Sequence, residues 1–251
     1  MKIIAKNIGI DLGAVNTVLS VPQQKISLSM PSCVLFSTKS SSNFLKPIAV
    51  GEYAVNREKN NSDGVKMSYL IDTNDAERNY DSKVLRILLR YLIRTGIGSF
   101  SLIKPSVFIT IPNSLGQTKR NEIIKFAEAA GAKKRGVYLV EKSFADAIGL
   151  KIDVTSPKAS MVVDIGAMST EIGIVGSKSF IHSSTLPVGG IDIDNAIKEA
   201  IYKNNNAQIV KNEIENVKKD YISAIREDNN IDVYFTGSET GGAVKNKYHI
   251  S

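Results

Sequence analysis

Cysteine is all but missing. Of 251 residues only Cys33 carries a thiol, so no disulfide can close within the chain, and such usage suits a reducing, cytoplasmic compartment. Aromatic side chains are sparse at 7% and do not interleave with the short basic clusters at 133–135 and 218–219, so no base-stacking nucleic-acid surface is expected. No apolar run approaches the roughly 20 residues that a membrane-spanning helix needs. The apolar start at 3–5 is too short for a signal peptide and leads straight into a strand. What remains is 43% hydrophobic and 23% charged, which fits a soluble globular protein of one large or two modest domains and not a disordered chain. The net charge of +7 and the pI near 9.3 allow attraction to anionic lipid heads, nucleic acid or acidic partners.

One pattern is written twice. Ile8-Gly9-Ile10-Asp11-Leu12-Gly13-Ala14-Val15-Asn16-Thr17 is matched by Val162-Val163-Asp164-Ile165-Gly166-Ala167-Met168-Ser169-Thr170. Each is an apolar β-rich run, then Asp-x-Gly-x-x-(Asn/Ser)-Thr, then a second β-rich run at 18–21 or 172–175, which reads as a hairpin. The glycine lets consecutive backbone N–H groups face an anion. The aspartate at the strand end repels phosphate and suits a metal-bound water instead. One copy alone is ordinary turn chemistry. Two copies with the same offsets point to duplicated halves with a site between them.

Between and beyond the hairpins, strands are expected at 26–36, 105–112, 137–140, 180–185, 231–236 and 243–250. Helices are expected at 81–93, 118–130, from 141 through Ile148, from 188 to about 202, and as one long helix over 207–225. Residues 56–63 are polar and expected to be exposed. Val188-Gly189-Gly190 opens a helix, a usual place for an anion; Asp192 or Asp194 serves there or merely caps the helix.

In this order the two hairpins, Glu141-x-x-x-Ala-x-Ala-Ile-Gly149 and Gly-Gly-x-Asp-x-Asp resemble the actin-like ATPase superfamily, and within it the bacterial actins of the MreB kind. Pro31-Ser32, Val50-Gly51-Glu52, Asp63-Gly64-Val65, Leu89-Arg90-Tyr91-Leu92-Ile93 and Lys104-Pro105 also sit where that family has like segments. The resemblance implies an α/β, actin-like (ribonuclease H-like) fold of duplicated domains with mixed sheets. Residues 1–36 and 75–155 would form the core of domain I and 37–74 a small inserted subdomain. Residues 156–190 would form an incomplete domain II core, and 191–251 its small subdomain. It further implies ATP and Mg²⁺ in the cleft and head-to-tail filaments, or co-assembly with homologous ones. Such filaments set cell shape in the cytoplasm, peripherally at the inner face of the membrane. Gly13, Ala14, Val15, Asn16 and Thr17 would lie under the phosphates from one side, and Gly166, Ala167, Met168 and Ser169 from the other. Gly190 would join them; Asp11 and Asp164 would hold the Mg²⁺ water shell. Gln208, Ile209, Val210 and Lys211 match the helix covering the adenosine. Leu102 and Ile103, beside Lys104, match a loop that dips into the inner leaflet, or else cover a core edge.

The sequence also departs from that family. An acidic residue that orients the attacking water is expected immediately after Glu141, and Lys142 stands there. An ammonium cannot accept the water's proton and suits a γ-phosphate instead; Glu141 is turned about 100° away along a helix start. Whether such a chain is an active ATPase is left open, with impaired hydrolysis expected. Ala167 and Met168 replace two of three successive glycines, which would crowd the turn, penalise positive φ and lower affinity. The closing segment reads as a hairpin, so the rest of the second domain's main sheet is expected to be missing. The alternatives are a non-catalytic partner of full-length filaments and a small-molecule kinase of the same superfamily.

Overall fold

A computed structural model describes residues 7–39, 45–60, 63–72, 78–98, 103–177, 179–209, 211–223, 225, 233–239 and 245–250. They form two compact units, one running up to Pro187 and one from Val188 on.

The first unit opens with β1 (Asn7–Leu12), β2 (Asn16–Val21) and β3 (Ile26–Pro31). In β1 and β2 every second side chain is buried, from Ile8, Ile10 and Leu12 to Thr17, Leu19 and Val21, the two-residue period of a sheet with one covered face. Next come β4 (Cys33–Ser37), β5 (Lys46–Val50), α1 (Glu52–Asn60) and β6 (Val65–Tyr69), and then α2 (Ser82–Ile97). They are followed by β7 (Ser106–Ile111), α3 (Gln117–Ala130), β8 (Val137–Glu141) and α4 (Lys142–Gly149). The main sheet has the order β3-β2-β1-β7-β8. It is mixed: β1, β7 and β8 run parallel, while β2 and β3 are antiparallel. The stripe expected on α2 is the centre of the core, with Val84, Leu85, Leu88, Leu89, Leu92 and Ile93 fully buried. Gly96 lets α2 press onto the sheet, since a Cβ there would lie 2.7 Å from Ile8 Cδ1.

The sheet β5-β4-β6 packs Cys33 and Leu35 against Ala54 of α1. Residues 56–60, expected only as exposed polar chain, belong to that helix. Gly51, with φ +60, turns the chain into it, and Glu52 in its first turn with Arg57 and Lys59 in its last suit the helix dipole.

The second hairpin begins a three-stranded antiparallel sheet of β9 (Ser160–Ile165), β10 (Thr170–Gly176) and β11 (Ser179–Leu186), ordered β11-β10-β9. Ala147 of α4, Val162 and Val175 form its small core.

The second unit holds α5 (Gly190–Asn205), β12 (Ala207–Ile209), α6 (Lys211–Tyr221), β13 (Val233–Glu239) and β14 (Lys245–Ile250). Its core is Ile197, Ile201, Ala207, Val217 and Phe235. The single helix expected over 207–225 is instead a strand followed by a shorter helix. Asn206 closes α5 in the left-handed region with φ 49, and Ala207–Ile209 then pair with β13. Strand pairing outweighs helix propensity at this point. The expected terminal hairpin is present as β13 and β14, but Gly237, Ser238 and Glu239 extend the strand instead of turning.

Candidate functional site

The two copies of the repeat fold alike. Leu12 pairs with Thr17 and Ile165 with Thr170, so each hairpin encloses the same loop length, 13–16 and 166–169. In both, the glycine faces the carbonyl of the fourth loop residue: a Cβ on Gly13 would lie 2.2 Å from Asn16 O, and one on Gly166 3.1 Å from Ser169 O. Gly166 N donates to Ser169 O at 2.8 Å. Close approach, not positive φ, is what requires glycine here, for neither residue is in the left-handed region. A buried clasp holds the first loop. Ser32 Oγ donates to Gly13 O at 2.7 Å and, its one proton spent, accepts from Thr17 Oγ1 at 2.7 Å. Ser32 N donates to Val15 O at 2.8 Å.

Both tips line one cleft of about 410 Å³, the first through Gly13 and Ala14, the second through Gly166, Ala167, Met168 and Ser169. Among the described residues, the charged side chains on its wall are Arg78, Lys119, Lys142 and Glu171, with Lys119 paired to Glu122 at 2.8 Å. Glu171 is 1% exposed and its carboxylate is spoken for: Oε2 accepts from Asn113 N at 3.1 Å and Thr185 Oγ1 at 2.7 Å, Oε1 from Ser169 Oγ at 3.2 Å. Arg78 Nη1 donates to Met168 O at the second tip. Tyr80, buried beside the first, donates to Leu12 O at 3.2 Å; burial, then Asp11, push its pKa upward.

Lys142 is the first residue of α4 and lies 3.0 Å from Asp164 Oδ2. Burial pulls its pKa down, but Asp11 and Asp164 together outweigh this and the net shift is upward, so the ammonium stays charged at neutral pH. Its helix start is fixed from two sides. Asn113 Nδ2 donates to Ser143 Oγ at 2.8 Å, and Gly173 of β10 leaves room for Ser143, whose Cβ would be 2.4 Å from a Cβ at that glycine. One turn along, Asp146 has a pKa raised to about 6, first by burial and then by Asp164, and its Oδ2 is buried without a hydrogen-bond partner among the described residues.

The sequence-expected residues separate accordingly. Gly13, Ala14, Gly166, Ala167, Met168, Ser169 and Lys142 come together on the cleft. Val15, Asn16 and Thr17 do not line it: Val15 and Asn16 face outward, while Thr17 is buried in the clasp. Asp11 accepts from Thr110 Oγ1, and neither it nor Asp164 is on the cleft wall. Glu141 is held by Arg120 at 2.9 Å and is off the wall as well. Ala167 and Met168 do not strain the turn as expected, since neither has positive φ, and the Met168 side chain is 3% exposed. Gly190, Gln208, Ile209 and Lys211 belong to the second unit. There Asp192 Oδ2 accepts from Gly189 N at 2.7 Å, a helix cap, and Asp194 pairs with Lys218 at 2.6 Å. Val210 and Leu102 lie outside the described residues; Ile103 is 38% exposed. Ser32, Asn113, Arg78, Lys119 and Glu171 were not singled out as site residues, although Glu171 follows the second motif directly.

The cleft fits an anionic phosphate tail, with three cationic side chains and two glycine tips on its wall. The expected divalent cation would have to compete with Lys142 for Asp164, which is off the wall and is paired with that ammonium; among the described residues no three His, Cys, Asp or Glu side chains gather as direct metal ligands.

Known proteins share this fold. MreB5 of Spiroplasma citri bound to AMPPNP superposes with a TM-score of 0.80 at 23% identity, over 98% of this chain and 72% of that one. The MamK double helical filament gives 0.72 at 18% identity, over 97% and 73%. The fold is therefore actin-like. The cell shape-determining protein MreB of Haemophilus influenzae is 30% identical over 223 residues, 88% of this chain and 62% of that protein. The cell shape-determining protein Mbl of Bacillus subtilis is 30% identical over 217 residues, 85% and 62%. This chain thus spans 62% of the length of these relatives. The sequence pattern described as MreB/Mbl protein is matched over residues 5–251, and the chain belongs to that family.

Proposed function

We propose that this chain binds ATP through its two glycine-tipped hairpins and forms or joins filaments that determine cell shape at the inner face of the membrane, with hydrolysis slowed by Lys142. The observation that carries the reading is the shared cleft: two like loops, Gly13-Ala14 and 166–169, on one cationic wall. Backbone N–H groups at such tips and a fixed ammonium suit a triphosphate tail. The AMPPNP bound to the Spiroplasma relative supports the choice of nucleotide, and the MamK filament supports assembly.

In the first unit the phosphates rest on the hairpin tips, with Lys142, Lys119 and Arg78 about them. Residues 1–36 and 75–155 with 37–74 are read as domain I, and 156–190 with 191–251 as domain II. The membrane contact falls to Ile103, a third exposed beside Lys104, whose apolar area and positive neighbour suit shallow insertion.

Slow turnover follows from the charge at Lys142. A general base must be able to take the proton of the attacking water near neutral pH, and this ammonium, with its pKa raised, has no free lone pair. Glu141 is engaged by Arg120, which leaves it poorly placed to act instead. ATP-dependent pelleting with phosphate release measured on the same samples tests the reading. ATP is expected to drive polymer into the pellet with little phosphate released, and Lys142→Glu to raise release. No nucleotide-dependent pelleting, either alone or with a full-length relative, would count against the filament role.

A further inference from the structure

Lys142 is more than a lost base. Its ammonium is on the cleft wall while Asp11 and Asp164 are not, and Asp164 Oδ2 is 3.0 Å from Nζ. A hydrated divalent cation bound through Asp164 would compete for that same carboxylate. Asp11 accepts a hydrogen bond from Thr110, and Glu171, the acidic side chain on the wall among the described residues, has both oxygens occupied by three donors. Among the described residues the wall carries Arg78, Lys119 and Lys142 beside Glu171; Lys119 is paired with Glu122 at 2.8 Å, and Lys142 with Asp164, which is off the wall. An ammonium has three donors. One is directed to Asp164, and the remaining two can meet phosphate oxygens while Asp164 keeps the side chain oriented.

We propose that Lys142 takes the place of the divalent cation in this cleft, so that the chain binds a nucleoside triphosphate without Mg²⁺. The inference rests on the nucleotide reading above and adds to it which charge neutralises the phosphates. A protein-borne cation is present in every molecule at any Mg²⁺ concentration, whereas a hard divalent cation reaches such a site together with the phosphates it bridges.

Titration of the purified chain with a fluorescent ATP analogue, in EDTA and in excess Mg²⁺, tests this. The wild-type dissociation constants are expected to agree within about threefold, while Lys142→Ala binds at least about tenfold more weakly in EDTA than with Mg²⁺. Lys142→Arg keeps the charge and is expected to keep the indifference to Mg²⁺, which guards against a folding defect in the alanine variant. A wild-type affinity that falls by about tenfold or more in EDTA overturns the inference and leaves the nucleotide reading standing. Absence of saturable binding in both buffers overturns the two together.

Discussion

Glu171 follows the second copy of the repeated motif directly, and Lys142 and Asp146 on α4 meet it through Asp164, yet each answers to a different force. Lys142 is held charged by carboxylates. Asp146 is pushed toward its neutral form, its pKa rising from 3.8 to about 6. Because the folded pKa is the higher one, this carboxyl favours the fold below its unfolded pKa, and that contribution is lost as pH rises toward about 6. Asp146→Asn is therefore expected to raise the melting temperature at neutral pH, with the gain shrinking toward about pH 4, in thermal melts across pH. Glu171 is buried and bound by three donors, so Glu171→Ala strands those groups and should lower stability by about 2 kcal/mol in denaturant unfolding. The two aspartates were legible because they sit at fixed offsets in a repeated motif, and Lys142 because it follows Glu141 where the family resemblance implies an acidic residue. Ser32, Asn113 and Glu171 were not, because their partners are 19, 30 and 58 positions away, and only folding brings them together.

The helices and strands that position the cleft were mostly readable. The α2 stripe announced its buried face, and Asp81 before it accepts from Lys83 N and Val84 N at 2.8 and 2.9 Å. Asp81→Ala should cost about 1 kcal/mol in equilibrium unfolding. What the pattern could not supply was α1, whose residues are too polar to mark a face, and β12, whose strand character depends on its partner β13. The contact between α4 and β10 is a sharper case. Gly173 reads as a weak strand residue in isolation, but it makes room for Ser143 and so for the Lys142 helix start. Gly173→Ala is expected to destabilise the protein by about 1–3 kcal/mol through overpacking. It should also weaken ATP binding, whereas the same loss at a site remote from α4 would leave affinity unchanged.

The main sheet, the second hairpin sheet and the order of elements all agree with an actin-like plan that the sequence already suggested. Its duplication is visible in the matched loops 13–16 and 166–169. The β9–β11 sheet is covered by α4 on one face, while Met161, Val163 and Ile165 on β9 are 68%, 47% and 69% exposed. A contiguous apolar strand face of this kind marks a contact surface or an association liability. Val163→Lys is expected to reduce sedimentation of the purified chain in the absence of nucleotide while leaving its melting temperature nearly unchanged.

The two loops grip one anion or the functional account has no foundation, and ATP affinity measured for Ala14→Asp and Ala167→Asp beside wild type tests that most directly. Each substitution puts a carboxylate on the cleft from a different hairpin. Saturable wild-type binding, weakened by about tenfold or more in both folded variants, is the predicted result. Saturable binding that neither carboxylate alters, or no binding by the wild-type chain, would contradict it.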